Sequence, residues 1–451
     1  MHIHILGICG TFMGGIAALA REAGHRVTGC DANVYPPMSD QLRELGIDLI
    51  SGYDASQLNL NPDVFVIGNV VTRGNPLMEA ILDSGARFES GPRWLADNVL
   101  RGRHVLAVAG THGKTTTSSM LSYILDRVGP PTGFLIGGIA KDHGISARLL
   151  GKTGAASTHF VVEADEYDTA FFDKRSKFVH YGPRTAILNN LEYDHADIFP
   201  DLASIQRQFH HLVRCIPRTG RIVFNGRDAA LAETLAMGCW SEREAFGTET
   251  GWHFVSDGSL DFGGERFGAL QLSMPGEHNR SNAMAAIAAA RHVGVDPRAA
   301  LEALRDFSGV KRRLELRGEA GGVRVYDDFA HHPTAIEASI AALRGAIPRG
   351  ERILAVFEPR SNTMKQGATR DAIAPSLRGA DLAFSFSGAV NWNVADALAP
   401  LGEKAQDFRE LDLLVAAVCK VAKSGDHILV MSNGGFGGIH DLLLRALARN
   451  A

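Results

Sequence analysis

A short glycine-rich segment, GTHGKTT at residues 110–116, constrains the fold of this chain more than any other feature. It follows an apolar run, His104–Ala109, that is typical of a buried strand, and it precedes a helical pattern over residues 115–126. A glycine turn between a strand and a helix points backbone N–H groups at one spot, where they can bind phosphate. The sequence therefore predicts an α/β domain with a phosphate-binding loop.

The residue types in this loop suit a nucleotide. Lys114 can reach the β and γ phosphates, and the hydroxyl of Thr115 can ligate Mg²⁺. The loop is one residue tighter than GxxxxGK[ST], yet its GK[ST] end is intact. The alternative is a glycine turn that only caps a helix, but such a turn has no need of a lysine followed by three threonines. The predicted nucleotide-binding residues here are Gly110, Thr111, His112, Gly113, Lys114, Thr115 and Thr116.

The length of 451 residues corresponds to about three domains at ~150 residues each. The chain begins with a strand, His2–Leu6, a glycine turn, a helical pattern over 15–23 and a second strand ending in Asp31, which is a Rossmann-like beginning. Apolar strand patterns return near the C-terminus. We therefore expect three α/β domains, Rossmann-like at residues 1–103, a P-loop ATPase at 104–312 and Rossmann-like again at 313–451.

Composition excludes several classes of protein. A net charge of −4 leaves no basic excess for gripping a nucleic-acid backbone, so nucleic acid is not an expected partner. The five cysteines form no CxxC pair, which favours a reducing cytoplasm. No apolar run reaches the ~20 residues of a membrane helix, and the apolar N-terminus lacks the basic leader of a signal peptide. We expect a cytoplasmic protein without a membrane partner.

Carboxylates follow two predicted strands of the central domain. The strand His159–Glu163 runs into EADEYD, and the next strand pattern, 185–189, runs into NNLEYDH, which ends at His195. The carboxyl ends of parallel strands meet at one edge of a sheet, and Mg²⁺ prefers oxygen ligands. The sequence therefore predicts magnesium binding by the carboxylate cluster of EADEYD and by the Thr115 hydroxyl, with His195 as a candidate ligand of a second metal. A purely structural histidine is the alternative for His195.

Five motifs taken together resemble the Mur ligase family over nearly the whole chain and in order. They are GTHGKTTT, EADEYD, NNLEYDH, PGEHNRSN at 275–282 and YDDFAHHP at 326–333. The resemblance implies a UDP-sugar-binding domain, a central ATPase and a C-terminal domain that closes over the site. It also implies an ATP- and Mg²⁺-dependent, amide-forming ligase of bacterial peptidoglycan synthesis that releases ADP and phosphate.

The resemblance carries roles onto single residues. Lys114 holds ATP phosphates, Thr115 and Glu163 bind one Mg²⁺, and His195 helps to bind another. His278 and Asn282, four residues apart, match an adenine-recognising pair, although an N-cap and a surface polar residue are the alternative. Arg313 near the γ-phosphate, Asp328 at the ribose and His331 near the incoming amine complete the predicted set. A solvated linker charge is the alternative for Arg313.

The N-terminal glycine turn, GICGTFMG at residues 7–14, resembles the UDP-binding domain of the branch that uses muramate. As a dinucleotide fingerprint it is poor, because Cys9 replaces the second glycine of GxGxxG. The predicted substrate-binding residues of this domain are Gly10, Thr11, Met13, Asp31 and Asn69.

A missing lysine narrows the choice among the branches of the family. Family branches that add later residues use a carbamylated lysine, yet no lysine occurs between Lys177 and Lys311. The loops at 357–365 and 432–438 resemble the branch that joins the murein tripeptide L-alanyl-γ-D-glutamyl-meso-diaminopimelate to UDP-N-acetylmuramate in peptidoglycan recycling. Arg360 and Lys365 are predicted to meet peptide carboxylates. Ligation of free L-alanine to the same sugar nucleotide is the alternative.

The implied chemistry passes through an acyl phosphate, which the peptide amine then attacks. His331 or a carboxylate near Asp328 can take the amine proton, and residue spacing does not choose between them. Two other classes compete with a ligase. A nicotinamide-dependent oxidoreductase explains the first glycine turn but not GKTTT, and a nucleotide switch explains the phosphate loop without any synthesis.

Overall fold

The structure is a computed structural model that describes residues 1–34, 38–388 and 390–450. The predicted fold class is confirmed, since three α/β domains with mainly parallel sheets follow one another along the chain. The chain forms two compact units. The first comprises Met1–Glu192, Leu202–Leu272 and Ser281–Ser308, and the second comprises Tyr193–Asp201, Ser273–Arg280 and Gly309–Ala451.

The first domain is a parallel five-stranded sheet with the order β3-β2-β1-β4-β5. Its strands are β1 (His2–Leu6), β2 (Arg26–Asp31), β3 (Asp48–Ser51), β4 (Val64–Ile67) and β5 (Phe88–Ser90). Its helices are α1 (Thr11–Glu22), α2 (Met38–Glu44), α3 (Pro76–Ser84) and α4 (Gly91–Leu95), with short 3-10 and π segments at Ala55–Leu60 and Ala96–Leu100.

Helix α1 begins at Thr11, four residues before the position that the sequence pattern predicts. The prediction is wrong at this end because adjacent glycines such as Gly14 and Gly15 are typical of a turn. Both glycines are buried inside the helix, and a Cβ on Gly15 would lie 2.2 Å from Cδ1 of Leu135 in the central domain. Glycine here permits close packing rather than a turn.

The central sheet has seven strands in the order β14-β13-β12-β6-β9-β7-β8, parallel except for the last pair. Its strands are β6 (His104–Ala109), β7 (Thr132–Leu135), β8 (Ala147–Arg148), β9 (His159–Glu163), β12 (Thr185–Leu188), β13 (Arg221–Asn225) and β14 (Glu242–Phe246). The helices of this domain are α5 (Lys114–Val128), α6 (Leu202–Cys215), α7 (Ala229–Ala236), α8 (Glu277–His292) and α9 (Pro297–Leu304). Because β6 lies between β12 and β9, both neighbouring strands end beside the phosphate loop.

Two small antiparallel sheets, which the sequence pattern does not predict, accompany the central sheet. One is a hairpin of β10 (Asp168–Ala170) and β11 (Asp173–Ser176), followed by the 3-10 helix Lys177–His180. The other consists of β15 (His253–Phe254), β16 (Ser259–Phe262) and β17 (Glu265–Ala269). Their strands are too short for an alternating pattern to stand out.

The C-terminal sheet has six strands in the order β18-β19-β23-β20-β21-β22, with only β18 antiparallel to its neighbour. They are β18 (Glu315–Ala320), β19 (Val323–Asp328), β20 (Ile353–Phe357), β21 (Leu382–Phe386), β22 (Ala405–Phe408) and β23 (His427–Met431). Two apolar clusters cover its faces. The helices are α10 (Pro333–Ala346), α11 (Asn362–Lys365), α12 (Arg370–Ser376), α13 (Val394–Leu398), α14 (Leu411–Val421) and α15 (Ile439–Asn450), and 3-10 segments lie at Ala399–Lys404 and Phe436–Gly438.

Among the helices of the described residues, none combines the length and the apolar character that crossing a bilayer requires.

Candidate active site

The phosphate loop connects the buried strand β6 to helix α5, as the sequence predicts. Gly110 and Gly113 have φ angles of +144° and +80°, which side chains rarely adopt. A Cβ on Gly113 would lie 2.5 Å from Oδ1 of Asn282. Glycine at this position is therefore required both by the backbone conformation and by the space available.

Lys114, the first residue of α5, is held by two acceptors. Its Nζ donates to the carbonyl of Gly110 at 2.7 Å and to Oε2 of Glu166 at 2.8 Å. Burial would lower the pKa of Lys114, but the carboxylates of Glu166 and Asp165 outweigh burial and raise this pKa above its ordinary value. The lysine is thus a fully charged cation fixed at the mouth of the loop.

Asn190, just after β12, clamps the outer side of the phosphate loop. Its Oδ1 accepts from the backbone N–H of His112 at 2.8 Å, its Nδ2 donates to the carbonyl of His112 at 3.2 Å, and its carbonyl accepts from the N–H of Thr111. The hydroxyl of Thr111 accepts from the N–H of Glu192 at 2.9 Å. Sequence reasoning missed this role, although two asparagines directly after a buried strand were a visible signal.

Glu163, the last residue of β9, lies beside the start of α5. Its Oε1 accepts from the hydroxyl of Thr115 at 3.2 Å, and its Oε2 accepts from the N–H of Gly137 at 2.7 Å. Burial raises the pKa of Glu163 above its ordinary value. The structure therefore brings together Thr115 and Glu163, two of the three predicted metal ligands.

A second lysine, Lys177, follows the β10–β11 hairpin. Its side chain lies in the acidic cluster formed by Glu163, Asp165 and Glu166. Its Nζ lies 2.8 Å from Oδ2 of Asp165, while Nζ of Lys114 lies 3.9 Å from Oδ1 of the same residue. One carboxylate thus lies between two ammonium groups. Sequence reasoning did not single out Lys177, because it lies nine residues beyond the EADEYD motif on an element that the pattern does not predict.

His195, the third predicted metal ligand, belongs to the second unit. Its φ angle of +54° is uncommon for a residue with a side chain. The N–H of His195 donates to Oδ1 of Asp194 at 2.7 Å, and the hydroxyl of Thr363 donates to the same oxygen at 2.6 Å. The loop that carries His195 is therefore fastened to α11.

His278 and Asn282 both lie on α8, which begins earlier than the predicted span of 282–293. The amide oxygen of Asn282 faces Gly113 of the phosphate loop. The ring of His278 packs against Gly276, and burial lowers its pKa. That His278 and Asn282 together recognise adenine stays a prediction.

Three predicted residues of the C-terminal domain surround the end of β19. The guanidinium of Arg313 lies 5.2 Å from the ring centroid of Phe329. The carboxylate of Asp328 accepts from the N–H groups of Leu314 and Ala330, both at 2.8 Å, and it is buried. Nδ1 of His331 donates to the carbonyl of Phe329 at 2.9 Å. A contact between Asp328 and ribose stays a prediction beside this structural role.

Arg360 lies over the backbone of Gly434, where a Cβ would come within 2.5 Å of its Nε. Glu358 lies 3.6 Å from the guanidinium and also accepts from the hydroxyl of Ser432 at 2.6 Å. The two loops on which the branch prediction rests are thus neighbours. Lys365 is exposed at the end of α11.

The predicted sugar-nucleotide residues lie around the carboxyl ends of β1, β2 and β4. Asp31 accepts from the N–H of Cys9 at 3.0 Å, which ties β2 to the glycine turn. Gly10 is the N-cap of α1, Thr11 is exposed, and Asn69 follows β4 and is partly buried. Met13 is buried against Gly91. Met13 therefore has a packing role, whereas a contact of this residue with substrate stays a prediction.

The sequence matches three family models in order. They are the Mur ligase family catalytic domain at residues 2–103, the Mur ligase middle domain at 108–290 and the Mur ligase glutamate ligase domain at 312–434. The chain is 57% identical to the UDP-N-acetylmuramate–L-alanyl-gamma-D-glutamyl-meso-2,6-diaminoheptandioate ligase of Escherichia coli (strain K12), over 100% of this chain and 99% of that protein. The chain belongs to the Mur ligase family. This confirms the resemblance on which the sequence interpretation relied.

Two further relatives place this Mur ligase within its family. A murein peptide ligase from Psychrobacter arcticus, known from a crystal structure, is 45% identical, covers 99% of both chains and superposes with a TM-score of 0.76. A UDP-N-acetylmuramate–L-alanine ligase from Syntrophomonas wolfei is 29% identical over 99% of this chain and 97% of that protein. The chain is thus more similar to these peptide-adding ligases than to this alanine-adding relative.

As a Mur ligase, the chain is an ATP-dependent, amide-forming enzyme that uses Mg²⁺. The residues present fit both groups. The phosphate loop leads directly into the N-terminus of α5, a position that favours phosphate, and Lys114 supplies a fixed positive charge. The hydroxyl of Thr115 and the carboxylate of Glu163 are hard oxygen donors only 3.2 Å apart, which suits Mg²⁺.

Proposed function

We propose that this Mur ligase joins the tripeptide L-alanyl-γ-D-glutamyl-meso-diaminopimelate to UDP-N-acetylmuramate in peptidoglycan recycling. The observation that carries the proposal is the identity of 57% over the whole chain to the E. coli enzyme that is named for this reaction. Ligation of free L-alanine is disfavoured, since one alanine-adding relative is 29% identical over 99% of this chain and another is 38% identical over 79% of it, both well below 57%. We place the reaction in the bacterial cytoplasm, where ATP is available.

The chemistry begins with a carboxylate, which is a poor electrophile. An oxygen of the lactyl carboxylate attacks the γ-phosphorus of ATP, the bond to the β-phosphate oxygen breaks, and ADP leaves with the electron pair. Lys114 shields the charge of the phosphates during this transfer, which is mainly positioning and electrostatics. Thr115 and Glu163 would hold one Mg²⁺ and His195 would help to hold another, and these ions would supply further positive charge.

Amide formation follows on the acyl phosphate. The free amine of the peptide's alanine attacks the carbonyl carbon, a C–N bond forms, and the C–O bond to phosphate breaks. The amine must lose a proton, and we assign this to His331 or to a carboxylate near Asp328. Arg313 is assigned to the γ-phosphate by its match to the family arginine, since a guanidinium can form two-pronged hydrogen bonds with phosphate.

The remaining assignments concern binding. We propose residues 1–103 for the UDP-sugar, 104–312 for ATP and 313–451 for the peptide. Arg360 and Lys365 are proposed to bind peptide carboxylates, and the half-exposed guanidinium of Arg360 supports this assignment. The proposed nucleotide and sugar ligands include His278, Asn282, Gly10, Thr11, Met13, Asp31 and Asn69.

The test is ATP-dependent product formation from UDP-N-acetylmuramate and the tripeptide, with Lys114→Met beside the wild type. We expect the variant to lose at least about 100-fold in kcat, because a charge that stabilises the transferring phosphoryl group is removed. Lys152→Met, which removes an exposed lysine of the same domain, is the control. A Lys114→Met protein with near wild-type activity would contradict the proposal.

A further inference from the structure

We propose that Lys177 is a substrate-binding residue whose ammonium receives the reacting carboxylate of the sugar nucleotide. The proposal rests on the proposed function and adds a residue to the same site. Lys177 lies between the glycine turn of the first domain and the acidic cluster behind the phosphate loop.

Lys177 is held in place by the backbone around it. It follows β11 and starts a 3-10 helix, and its N–H donates to the carbonyl of Tyr167 at 3.0 Å. The preceding residue, Ser176, donates its hydroxyl to the carbonyl of Glu166. The hairpin therefore closes back onto the EADEYD segment, and these contacts fix the backbone from which the Lys177 side chain projects.

The side chain of Lys177 is only 10% exposed, although lysine is almost never buried without a partner. Its partner is Asp165, at 2.8 Å, and this carboxylate also approaches Lys114 at 3.9 Å. An ammonium has three N–H donors, of which Asp165 accepts one. Asp165 thus links Lys114 of the phosphate loop to Lys177, whose ammonium keeps N–H groups that can donate to a further acceptor.

Two aromatic rings frame the ammonium of Lys177. Its Nζ lies 5.5 Å from the ring centroid of Tyr167 and 5.6 Å from that of Phe12. Phe12 belongs to the first turn of α1, directly after the glycine turn to which the sugar nucleotide is assigned. Lys177 thus touches the sugar-nucleotide domain on one side and the acidic cluster of the ATPase domain on the other.

A sugar nucleotide bound at the first domain must bring its lactyl carboxylate toward the phosphate loop. The ammonium of Lys177 lies on this route, between Phe12 and Asp165, and an ammonium binds a carboxylate through charge-assisted hydrogen bonds. Asp165 shows that this ammonium accepts a carboxylate partner at 2.8 Å. With 32% of its side chain exposed, Asp165 can shift its interaction to Lys114 or to water when the substrate arrives.

The experiment compares two sugar nucleotides by calorimetry, without ATP or peptide. UDP-N-acetylmuramate carries the lactyl carboxylate, and UDP-N-acetylglucosamine lacks it. Wild type and Lys177→Met are compared, with Lys174→Met as the matched control. Lys174 lies on the same hairpin, is 70% exposed and pairs with Asp168. Lys177→Gln is a second variant, since it keeps an N–H donor for Asp165 without the charge.

We expect Lys177→Met and Lys177→Gln to weaken UDP-N-acetylmuramate binding about 10- to 100-fold and to leave UDP-N-acetylglucosamine binding within about twofold. Lys174→Met should change neither. An equal loss for both sugar nucleotides, or no loss for either, would overturn the proposal. The proposed function fails separately, if wild-type enzyme forms no product from UDP-N-acetylmuramate, ATP and tripeptide.

Discussion

Gly113 has two properties that a side chain would violate, a φ angle of +80° and a distance of 2.5 Å from its Cβ position to Asn282. We expect Gly113→Ala to weaken ATP binding at least about tenfold, because the added Cβ would displace Asn282 or the loop itself, in addition to the about 1–2 kcal/mol that left-handed backbone costs a non-glycine residue. Gly144→Ala is the control, since Gly144 has φ +70° but open space around it. Calorimetric titration with ATP measures both, and equal affinities for the two variants would contradict the steric argument.

His4 is a buried histidine of β1 whose hydrogen bonds suit the neutral ring. Its Nε2 donates to Oε1 of Gln57, and its Nδ1 accepts from the hydroxyl of Thr28. Burial lowers the pKa of His4 to about 4. Between this value and the ordinary pKa of ~6.5, the unfolded chain binds a proton that the folded chain does not, so stability falls as pH falls through this range.

The His4 contribution can be isolated with a His4→Gln variant. From the pKa of about 4, the wild type should lose about 2 kcal/mol of unfolding free energy at this site between about pH 7 and about pH 5. The variant should show a pH dependence weaker by that amount, measured by urea titration at both pH values. The same pH dependence in both proteins would show that His4 is not kept neutral by folding.

At the residue scale, the sequence indicates which side chains can bind a nucleotide, but not which residues hold those side chains in place. The motif GKTT identifies Lys114 and Thr115 as nucleotide-binding residues by residue type and order. It says nothing of Glu166, which holds Lys114 at 2.8 Å, or of Asn190, which holds the loop through His112. These partners come from different strands, so their meeting depends on strand order in the sheet.

Helix α11 is only four residues long, yet it fastens the loop that carries His195. The hydroxyl of Thr363 donates to Asp194 at 2.6 Å and accepts from the N–H of Ala196 at 3.3 Å. Asn362 donates to Asp197 at 2.9 Å. Helix α11 therefore holds the conformation of the segment Tyr193–Asp201, which lies far from it in sequence but belongs to the same unit.

Replacing Thr363 by valine should loosen this segment. Valine keeps the shape of threonine but leaves the buried carboxylate of Asp194 and the N–H of Ala196 without that hydroxyl, at a cost of about 1–3 kcal/mol. We expect faster hydrogen exchange across residues 193–201, measured by mass spectrometry. Thr363→Ser keeps the hydroxyl and should exchange like the wild type. Unchanged exchange in the valine variant would show that the fastening lies elsewhere.

At the element scale, long buried strands were predictable and short or partly exposed ones were not. The strands His104–Ala109 and His427–Met431 are continuous apolar runs and are confirmed. Strands such as Glu315–Ala320 and Asp168–Ala170 alternate between burial classes or span three residues, and their pairing rather than their composition defines them. The start of α1 was not predictable, because two packed glycines resemble a turn.

At the scale of the whole molecule, the three sheets share one principle. Many of the predicted residues lie at or just beyond the carboxyl ends of parallel strands, as do Glu163 at the end of β9, Asp31 in the first domain and Arg360 in the third. This rule made the three-domain fold and its functional edges predictable from strand patterns and motifs. It did not identify Lys177, which reaches the central edge from an antiparallel hairpin.

The central claim concerns the acceptor, a peptide rather than a single amino acid. The most direct measurement is ADP release with UDP-N-acetylmuramate and ATP, offering the tripeptide and free L-alanine separately. We predict a kcat/KM for the tripeptide that exceeds that for L-alanine by at least about 100-fold, since contacts to the peptide's carboxylates are lost with alanine. Efficient use of L-alanine together with an inert tripeptide would contradict the account.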